Sequence, residues 1–133
     1  MKIVVDTNIV ASAFFFGGKP YQLLKLIMEG FVTAVCNKEI VEEYFEIILR
    51  LQEKYPEIGK DFRFSEFLSR LDLISTKSDV QVCRDKDDDK FISCAIDGRC
   101  VYIVSGDKDL LDVKKFKNIE ILTIAEFLQK YNS

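Results

Sequence analysis

Short apolar runs alternate along the chain with longer segments in which apolar residues recur at helical spacing. The runs are brief and rich in β-branched residues, as in strands that are buried on both faces of a sheet. They predict strands at 3–5, 31–36, 101–104 and 119–122, with a further short strand at 73–75. The segments between them predict helices at 9–16, 20–29, 39–54, 62–73, 91–97 and 110–111, and a terminal helix that Thr123 caps.

This alternation of strands and helices is typical of a parallel sheet with helices packed on both of its faces. The sequence contains no internal repeat, low-complexity tract or linker. The predicted fold class is therefore α/β, a three-layer α/β/α sandwich around a central, mainly parallel sheet. We expect residues 1–133 to form a single domain. We assign the cap of the helix at 62–73 to Asp61 or Ser65, and we expect segment 114–117 to be a basic loop.

Carboxylates follow two of the predicted strands. Asp6 comes directly after the first strand, and Asp107 and Asp109 follow the strand at 101–104. The carboxyl ends of parallel strands share one edge of a sheet, where open α/β sheets bind their ligands, so these side chains should lie close together. Each also has a simpler interpretation as a turn residue or as the cap of the following helix, a role that Thr7 could take instead of Asp6.

Four further carboxylates crowd the start of the helix at 91–97. Helix capping and favourable charge at the helix N-terminus explain one or two of them. Asp88 shares a helical stripe with Phe91, Ile92 and Ala95, so we expect it to point inward. The neighbouring members of the run leave this assignment open; they are Asp85, Asp87 and Asp89.

One more carboxylate is expected from the helix at 39–54. Glu42 and Glu43 both lie at the border of the apolar face of this helix. Periodicity does not choose between them, and both could be solvated surface residues.

The absence of histidine narrows the chemistry more than any other count. It excludes Ser-His-Asp and Cys-His catalysis as well as HExxH zinc sites. The four cysteines form no CxxC pair, and we expect them to be reduced thiols. The net charge of −3 argues against a protein that coats nucleic acid, but not against an enzyme whose acidic site is masked by metal.

Clustered carboxylates repel one another unless a cation lies among them. An oxygen-lined site without histidine or a useful thiol selects Mg²⁺ or Mn²⁺. Such an ion activates water and stabilises charge on a phosphoryl oxygen, so the predicted chemistry is phosphodiester hydrolysis. Further oxygens could come from Thr7, Asn8 and Ser105. A group of lysines could hold RNA phosphates or could simply aid solubility: Lys86, Lys90, Lys108 and the lysines within 114–117.

Two features bear on location and assembly. No apolar run approaches the roughly 18 residues that span a bilayer, and the N-terminus does not resemble a signal peptide. We therefore expect a cytoplasmic protein with no membrane contact. Phe14, Phe15 and Phe16 are more than one helix face can bury, which indicates either core packing or the surface of a homodimer.

Five motifs resemble the PIN domain family, which includes the VapC-type toxins of toxin–antitoxin pairs. They are VVDTN at 4–8, EEY at 42–44, CRDKDDDKF at 83–91, VSGDKDLL at 104–111 and ILTIAEFL at 121–128. The resemblance covers nearly the whole chain in the right order. It implies an α/β/α sandwich whose acidic residues bind Mg²⁺ or Mn²⁺ and cut single-stranded RNA.

Carried over by motif, the resemblance implies four catalytic carboxylates. They are Asp6, Glu43, Asp88 and Asp107, with Asp109 as an accessory metal ligand beside Asp6, Asp88 and Asp107. It also selects Glu43, the residue directly before Tyr44, over Glu42. Ser105 stands where the family commonly has threonine, and this keeps a hydroxyl group at that position.

The leading hypothesis is a metal-dependent ribonuclease that cuts single-stranded or structured RNA, as the toxin partner of a small antitoxin. The first alternative is a non-catalytic PIN-like module that binds RNA or protein. The second is a receiver-like signalling domain in which a strand-end aspartate accepts phosphate. That alternative requires acidic residues before the phosphoacceptor strand, whereas here the acidic groups follow helices and late strands.

Overall fold

A six-stranded sheet organises the part of the chain that the computed structural model describes, residues 1–57 and 63–133. Its strand order is β3-β2-β1-β4-β6-β5. The strands are β1 (Lys2–Val5), β2 (Thr33–Cys36), β3 (Asp72–Leu73), β4 (Tyr102–Val104), β5 (Lys115–Phe116) and β6 (Ile119–Leu122). Every pair of neighbours is parallel except β5 with β6, so the predicted mainly parallel sheet is confirmed.

Helices cover this sheet in the predicted three-layer α/β/α arrangement. Within the described residues they are α1 (Thr7–Phe15), α2 (Gly18–Met28), α3 (Lys38–Lys54), α4 (Phe64–Arg70), α5 (Asp89–Asp97), α6 (Lys108–Leu111) and α7 (Ile124–Tyr131). A 3-10 turn at Lys86–Asp88 leads directly into α5. None of these helices has the length and apolar character needed to cross a bilayer.

The order of the strands creates a switch point between β1 and β4. The chain moves outward from β1 through β2 and β3 on one side, and through β4, β6 and β5 on the other. Crossovers leave β1 and β4 in opposite directions, so a crevice forms beyond their carboxyl ends, where such sheets bind ligands. Asp6 and Ser105 occupy the next positions of the ladder, since Asp6 N donates to Val104 O at 2.9 Å and Ser105 N to Leu122 O at 2.9 Å.

The side chains of the central strands explain why they lie at the middle of the sheet. Ile3, Val4 and Val5 are at most 1% exposed, as expected for a strand covered on both faces. Tyr44 of α3 is fully buried, and its hydroxyl donates to the carbonyl oxygen of Val5. This hydrogen bond fixes α3 against the end of β1, immediately before Asp6.

Two helices begin with the capping interactions that their sequences favour. The Asn37 side chain accepts from Ile40 N at 2.9 Å and starts α3. Thr123 and Glu126 form a reciprocal capping box that starts α7, which confirms Thr123 as the predicted cap.

The three consecutive phenylalanines take different environments. Phe15 is buried in the core, and Phe14 makes edge contacts with the rings of Phe64 and Phe67. Phe16 is 62% exposed and touches the edge of the Tyr55 ring. Core packing therefore accounts for two of the three rings, and self-association through Phe16 stays a prediction.

The prediction of one helix over 62–73 is wrong at its carboxyl end. Helix α4 ends at Arg70, and Leu73 belongs to β3, which pairs with β2. The strand expected at 73–75 therefore begins one residue earlier and ends two residues earlier, at 72–73. Of the two predicted caps, Ser65 lies inside α4 and makes no capping hydrogen bond, and Asp61 falls outside the described residues.

Strand β5 was also missed, because the segment at 114–117 was predicted to be a basic loop. Lys115 and Phe116 pair with β6 in antiparallel orientation. Lys114 and Lys117 on either side have positive φ angles of 65° and 54°, which turn the chain sharply at both ends of the strand. A two-residue strand is too short for an alternating pattern to reveal it. The strand predicted at 31–36 begins instead at Thr33, and Phe31 is exposed.

Gly98 provides a stability test of how closely α5 packs on the sheet. A Cβ atom at this position would lie 2.7 Å from Val35 Cγ1 and 3.0 Å from Cys94 O. We expect Gly98→Ala to lower the free energy of unfolding by about 1–3 kcal/mol through overpacking, measured by urea denaturation. Gly106→Ala is the matched control, because nothing lies within 4 Å of its Cβ position. Equal stability of the two variants would contradict this close packing.

Candidate metal centre

A serine hydroxyl joins the two strand-end aspartates at the switch point. Ser105 Oγ donates to Asp6 Oδ2 at 2.6 Å and accepts from Asp107 N at 2.9 Å. Ser105 is fully buried and Asp6 is 4% exposed. The hydroxyl thus orients the Asp6 carboxylate and holds the loop that carries Asp107 against it.

Asp6 precedes helix α1 but does not act as its cap. Asp6 occupies the N-cap position of α1, but its side chain makes no capping hydrogen bond. Thr7 does not cap the helix either, because its hydroxyl donates to Glu43 Oε1. Asn8 is exposed in the first turn of α1. The carboxylate of Asp6 is therefore available to the crevice.

Asp88 is the most conspicuous carboxylate of the crevice. It is 8% exposed, and its Oδ2 is the one buried side-chain oxygen or nitrogen in the described residues without a hydrogen-bond partner. Burial, followed by the negative charge of Asp107 and a side-chain hydrogen bond with Asp107, raises the pKa of Asp88 to about 7. Burial also raises the pKa of Asp6, and the hydrogen bond from Ser105 opposes this effect. Such an unpaired buried oxygen requires an explanation, and a bound cation is one.

Two partly different sets of carboxylates surround Asp88. Measured between oxygen atoms, Asp85, Asp88 and Asp109 lie within 4.8 Å of one another. Asp107 is the neighbouring charge that raises the pKa of Asp88 most, followed by Asp85 and Asp6. Asp6 and Asp107 are the stronger candidates beside Asp88, because Ser105 bonds to both residues, whereas Asp109 already pairs with Arg84 at 3.4 Å. Asp107 also caps α6, since its Oδ1 accepts from Asp109 N at 2.9 Å. Asp85 and Asp109 then form the rim of the cluster.

The other aspartates of the run at 85–89 have separate roles. Asp89 is buried, but its Oδ1 accepts from Val82 N at 3.0 Å and from Cys83 N at 2.8 Å, which anchors the preceding loop. Asp87 is exposed. Asp85 accepts from Asp87 N at 3.0 Å and caps the 3-10 turn. The inward orientation that helical periodicity predicted for Asp88 is thus observed.

The structure distinguishes the two adjacent glutamates that periodicity left open. Glu43 is half-buried, with one oxygen bound to Thr7 and the other paired with Lys90 Nζ. Glu42 is exposed and lies 4.0 Å from Lys38 Nζ on the surface of α3. Of the two, Glu43 faces the crevice, and its charge contributes to the raised pKa of Asp6.

Comparison with known proteins now places the chain. A family model described as a PIN domain matches residues 2–109. The chain belongs to the PIN domain family. It is also 30% identical over 145 residues to the uncharacterized protein MJ1680 of Methanocaldococcus jannaschii, an alignment that covers 98% of this chain and 92% of that protein.

The fold of this PIN domain is similar to that of one chain in a solved structure. The structure is VapBC2 from Rickettsia felis bound to a DNA fragment from its promoter, with a TM-score of 0.60 and 17% sequence identity. The similarity covers 91% of this chain and 97% of the other. At this level of identity the likeness concerns the fold, and it agrees with the predicted α/β/α sandwich.

The donor set of this PIN domain fits a hard divalent cation. The charged neighbours that raise the pKa of Asp88 are the carboxylates of Asp107, Asp85 and Asp6, and Asp6 and Asp88 are buried. All four cysteines are free and buried, and burial raises the pKa of Cys83, the cysteine beside the cluster, to about 12, so its thiolate does not compete as a ligand. Oxygen-only coordination of this kind suits Mg²⁺ or Mn²⁺, with Asp6, Asp88 and Asp107 as the residues that could hold the ion.

Lysines that the sequence grouped together have different surroundings. Lys86 and Lys108 are exposed, at the 3-10 turn and in the first turn of α6. The side chain of Lys90 is 15% exposed and bound to Glu43. Sequence reasoning missed this pairing, and it also missed Arg84, which bonds to Asp112 at 2.6 Å and approaches Asp109. Neither contact has a local signal, because each joins residues from distant segments.

Stability measurements test whether the cluster binds a cation. We expect Mn²⁺ at about 100 times its Kd to stabilise the protein by about 2.7 kcal/mol, measured as a rise in Tm. Asp88→Asn should raise the Tm without metal, because it removes a buried charge from a repulsive cluster, and should abolish most of the rise caused by Mn²⁺. Asp87→Asn is the matched control. An equal Mn²⁺ effect in both variants would show that Asp88 holds no cation.

Proposed function

We propose that this PIN domain is an Mg²⁺- or Mn²⁺-dependent endoribonuclease, with residues 1–133 acting as one catalytic domain. The observation that carries the proposal is the unpartnered, buried oxygen of Asp88 beside Asp6 and Asp107 at the switch point of the sheet. The reaction is hydrolysis of a phosphodiester bond in single-stranded or structured RNA. Membership of the PIN domain family removes the basis for the receiver-like alternative.

The residues of the chain have distinct roles in this reaction. Asp6, Asp88 and Asp107 would hold the ion, and Asp109 would assist from the rim. When bound, the ion activates a water molecule and stabilises charge on the phosphoryl oxygen. Ser105 fixes the direction of the Asp6 carboxylate, and its contact with Asp107 N keeps the two ligands in register.

Glu43 is the candidate for orienting the attacking water. Both of its oxygens are fixed, one by Thr7 and the other by Lys90, so the carboxylate has a defined direction beside Asp6. A carboxylate that accepts a hydrogen bond from a water molecule can direct the lone pair of the water oxygen toward the scissile phosphate. Asn8, two residues after Asp6, is exposed, so its amide is available to substrate.

We further propose that the protein is the toxin of a toxin–antitoxin pair that acts in the cytoplasm. The structurally similar VapBC2 of Rickettsia felis is a complex bound to promoter DNA, which supports a small antitoxin as partner. A small reading frame with a DNA-binding motif immediately upstream of this one would support a toxin. Its absence would favour a nuclease that acts without an antitoxin.

Cleavage assays test the enzymatic proposal directly. The purified protein should cut single-stranded RNA in Mg²⁺ or Mn²⁺ and should be inactive in EDTA. Asp6→Asn should lower kcat by about a hundred-fold or more, because a carboxylate that would hold the ion is lost. Glu42→Gln makes the same charge change at an exposed position of α3 and should keep wild-type activity. Cleavage in EDTA would exclude the metal mechanism, and RNA binding without cleavage would favour the non-catalytic alternative.

The exposed lysines are tested by the salt dependence of RNA binding. If Lys86 and Lys108 each contact one phosphate, the double variant Lys86→Gln, Lys108→Gln should reduce the slope of log Kd against log salt by about 1.4. The control replaces Lys19 and Lys25 of α2, which are also exposed. An equal change of slope in both double variants would contradict specific phosphate contacts by Lys86 and Lys108.

A further inference from the structure

Lys90 is largely buried beside Glu43, although its place in a charged run suggests a surface lysine. Its side chain is 15% exposed, compared with the exposed Lys86 four residues earlier. The ammonium group pairs with Glu43 Oε2 and lies 5.3 Å from the centroid of the Phe91 ring. Partial burial and a bound carboxylate both make Lys90 a poor contact for a mobile polyanion.

The partner of Lys90 is fully engaged by the protein. Glu43 Oε1 accepts from Thr7 in the first turn of α1, and Oε2 pairs with Lys90 in the first turn of α5. Glu43 itself comes from α3, so the Thr7–Glu43–Lys90 contacts join three helices. Each oxygen has one of its two lone pairs engaged by these partners, so the carboxylate is held in place and can still accept from a water molecule beside Asp6.

Three consecutive residues at the start of α5 make contacts with different parts of the protein. Asp88 faces the carboxylate cluster, Asp89 binds the backbone of the preceding loop, and Lys90 reaches across to Glu43 of α3. The contact with Glu43 therefore locks the segment that carries Asp88 against α3. Loss of Lys90 would release Glu43 and place one more uncompensated negative charge near Asp6.

We propose that Lys90 is a positioning residue for the nuclease reaction, an internal cation that fixes Glu43 and limits the negative charge of the metal centre. This proposal rests on the proposed function, and it replaces the prediction that Lys90 binds RNA phosphate. Lys90 acts through Glu43 and does not touch the substrate. It therefore controls kcat and metal affinity, whereas an RNA contact would control KM and salt dependence.

A double-mutant cycle tests whether Lys90 acts through Glu43. Lys90→Met should lower kcat by up to about a hundred-fold, because a misplaced catalytic group costs that much, and should leave KM for RNA nearly unchanged. In the Glu43→Gln background the same substitution should have little further effect on kcat. Lys90→Arg should recover part of the lost kcat, because it keeps the cation. Losses in kcat that multiply in the double variant would overturn the proposal.

Metal affinity gives a readout that is independent of turnover. Calorimetric titration with Mn²⁺ should show a Kd about three- to ten-fold lower for Lys90→Met than for wild type, because the repelling cation is removed and Glu43 is released. Lys90→Arg should keep the wild-type Kd. The matched control Lys86→Met removes the same charge from an exposed, screened position and should change the Kd less than two-fold, about the scale of screened surface charges.

The outcomes separate this proposal from the proposed function. If the wild-type protein neither binds Mn²⁺ nor cleaves RNA, the proposed nuclease function is wrong. If the wild type binds Mn²⁺ and cleaves RNA, the Lys90→Met variant decides the role of Lys90. An unchanged Mn²⁺ Kd, with weaker RNA binding and a flatter salt dependence, would make Lys90 a phosphate contact and overturn the positioning role. If Lys90→Met does not fold, the single variant Lys90→Arg and the double variant Glu43→Gln, Lys90→Met test the proposal instead. Neither of them leaves a buried charge without a partner.

Discussion

Repulsion between buried carboxylates is the constraint on which the rest of this structure depends. Asp6 and Asp88 lie in the same crevice, with Asp107 between the end of β4 and the start of α6. Burial disfavours the ionised forms of Asp6 and Asp88. The protein offsets part of this cost with the hydrogen bond from Ser105 to Asp6, and the charge of Glu43, which also raises the pKa of Asp6, is paired with Lys90. It leaves Asp88 Oδ2 without a partner. An arrangement that is unfavourable for folding but suited to a cation is typical of a functional site.

The sheet topology makes this concentration of charge possible. The central strands β1 and β4 are parallel neighbours, and their chain continuations place Asp6 and Ser105 at the same level of the ladder. Helix α3 is fixed to the end of β1 by Tyr44, and this contact brings the adjacent Glu43 to the crevice. The close approach of α5 to β2 at Gly98 fixes the helix whose start carries Asp88. Core packing therefore sets the geometry of the acidic side chains.

Much of this arrangement could be predicted because it depends on periodicity and strand ends. The buried run before Asp6 and the helical stripe below Asp88 identified a central strand and an inward carboxylate, and both agree with the structure. Glu42 and Glu43 could not be separated by periodicity, since the difference between them arises from contacts with Thr7 and Lys90 in other helices.

The features that the sequence did not reveal are short or depend on distant partners. Strand β5 has two residues, and the end of α4 at Arg70 follows from the pairing of β3 with β2, which overrides helical spacing through Leu73. Lys90 was grouped with surface lysines because its neighbours are charged, whereas its environment is set by α3. Local patterns therefore identified the elements and the principal carboxylates, and tertiary contacts decided which charges are paired.

The most direct test of the metal centre is a crystal structure of the protein grown with Mn²⁺, with the ion located by its anomalous scattering. We expect an anomalous peak about 2.1 Å from carboxylate oxygens of Asp6, Asp88 and Asp107, a distance similar to that of Mg²⁺ ligands, with Glu43 still bound to Thr7 and Lys90. A crevice without an anomalous peak at saturating Mn²⁺ would contradict the proposed metal centre. A peak coordinated by Glu43 in place of Asp88 would contradict the assigned roles of both residues.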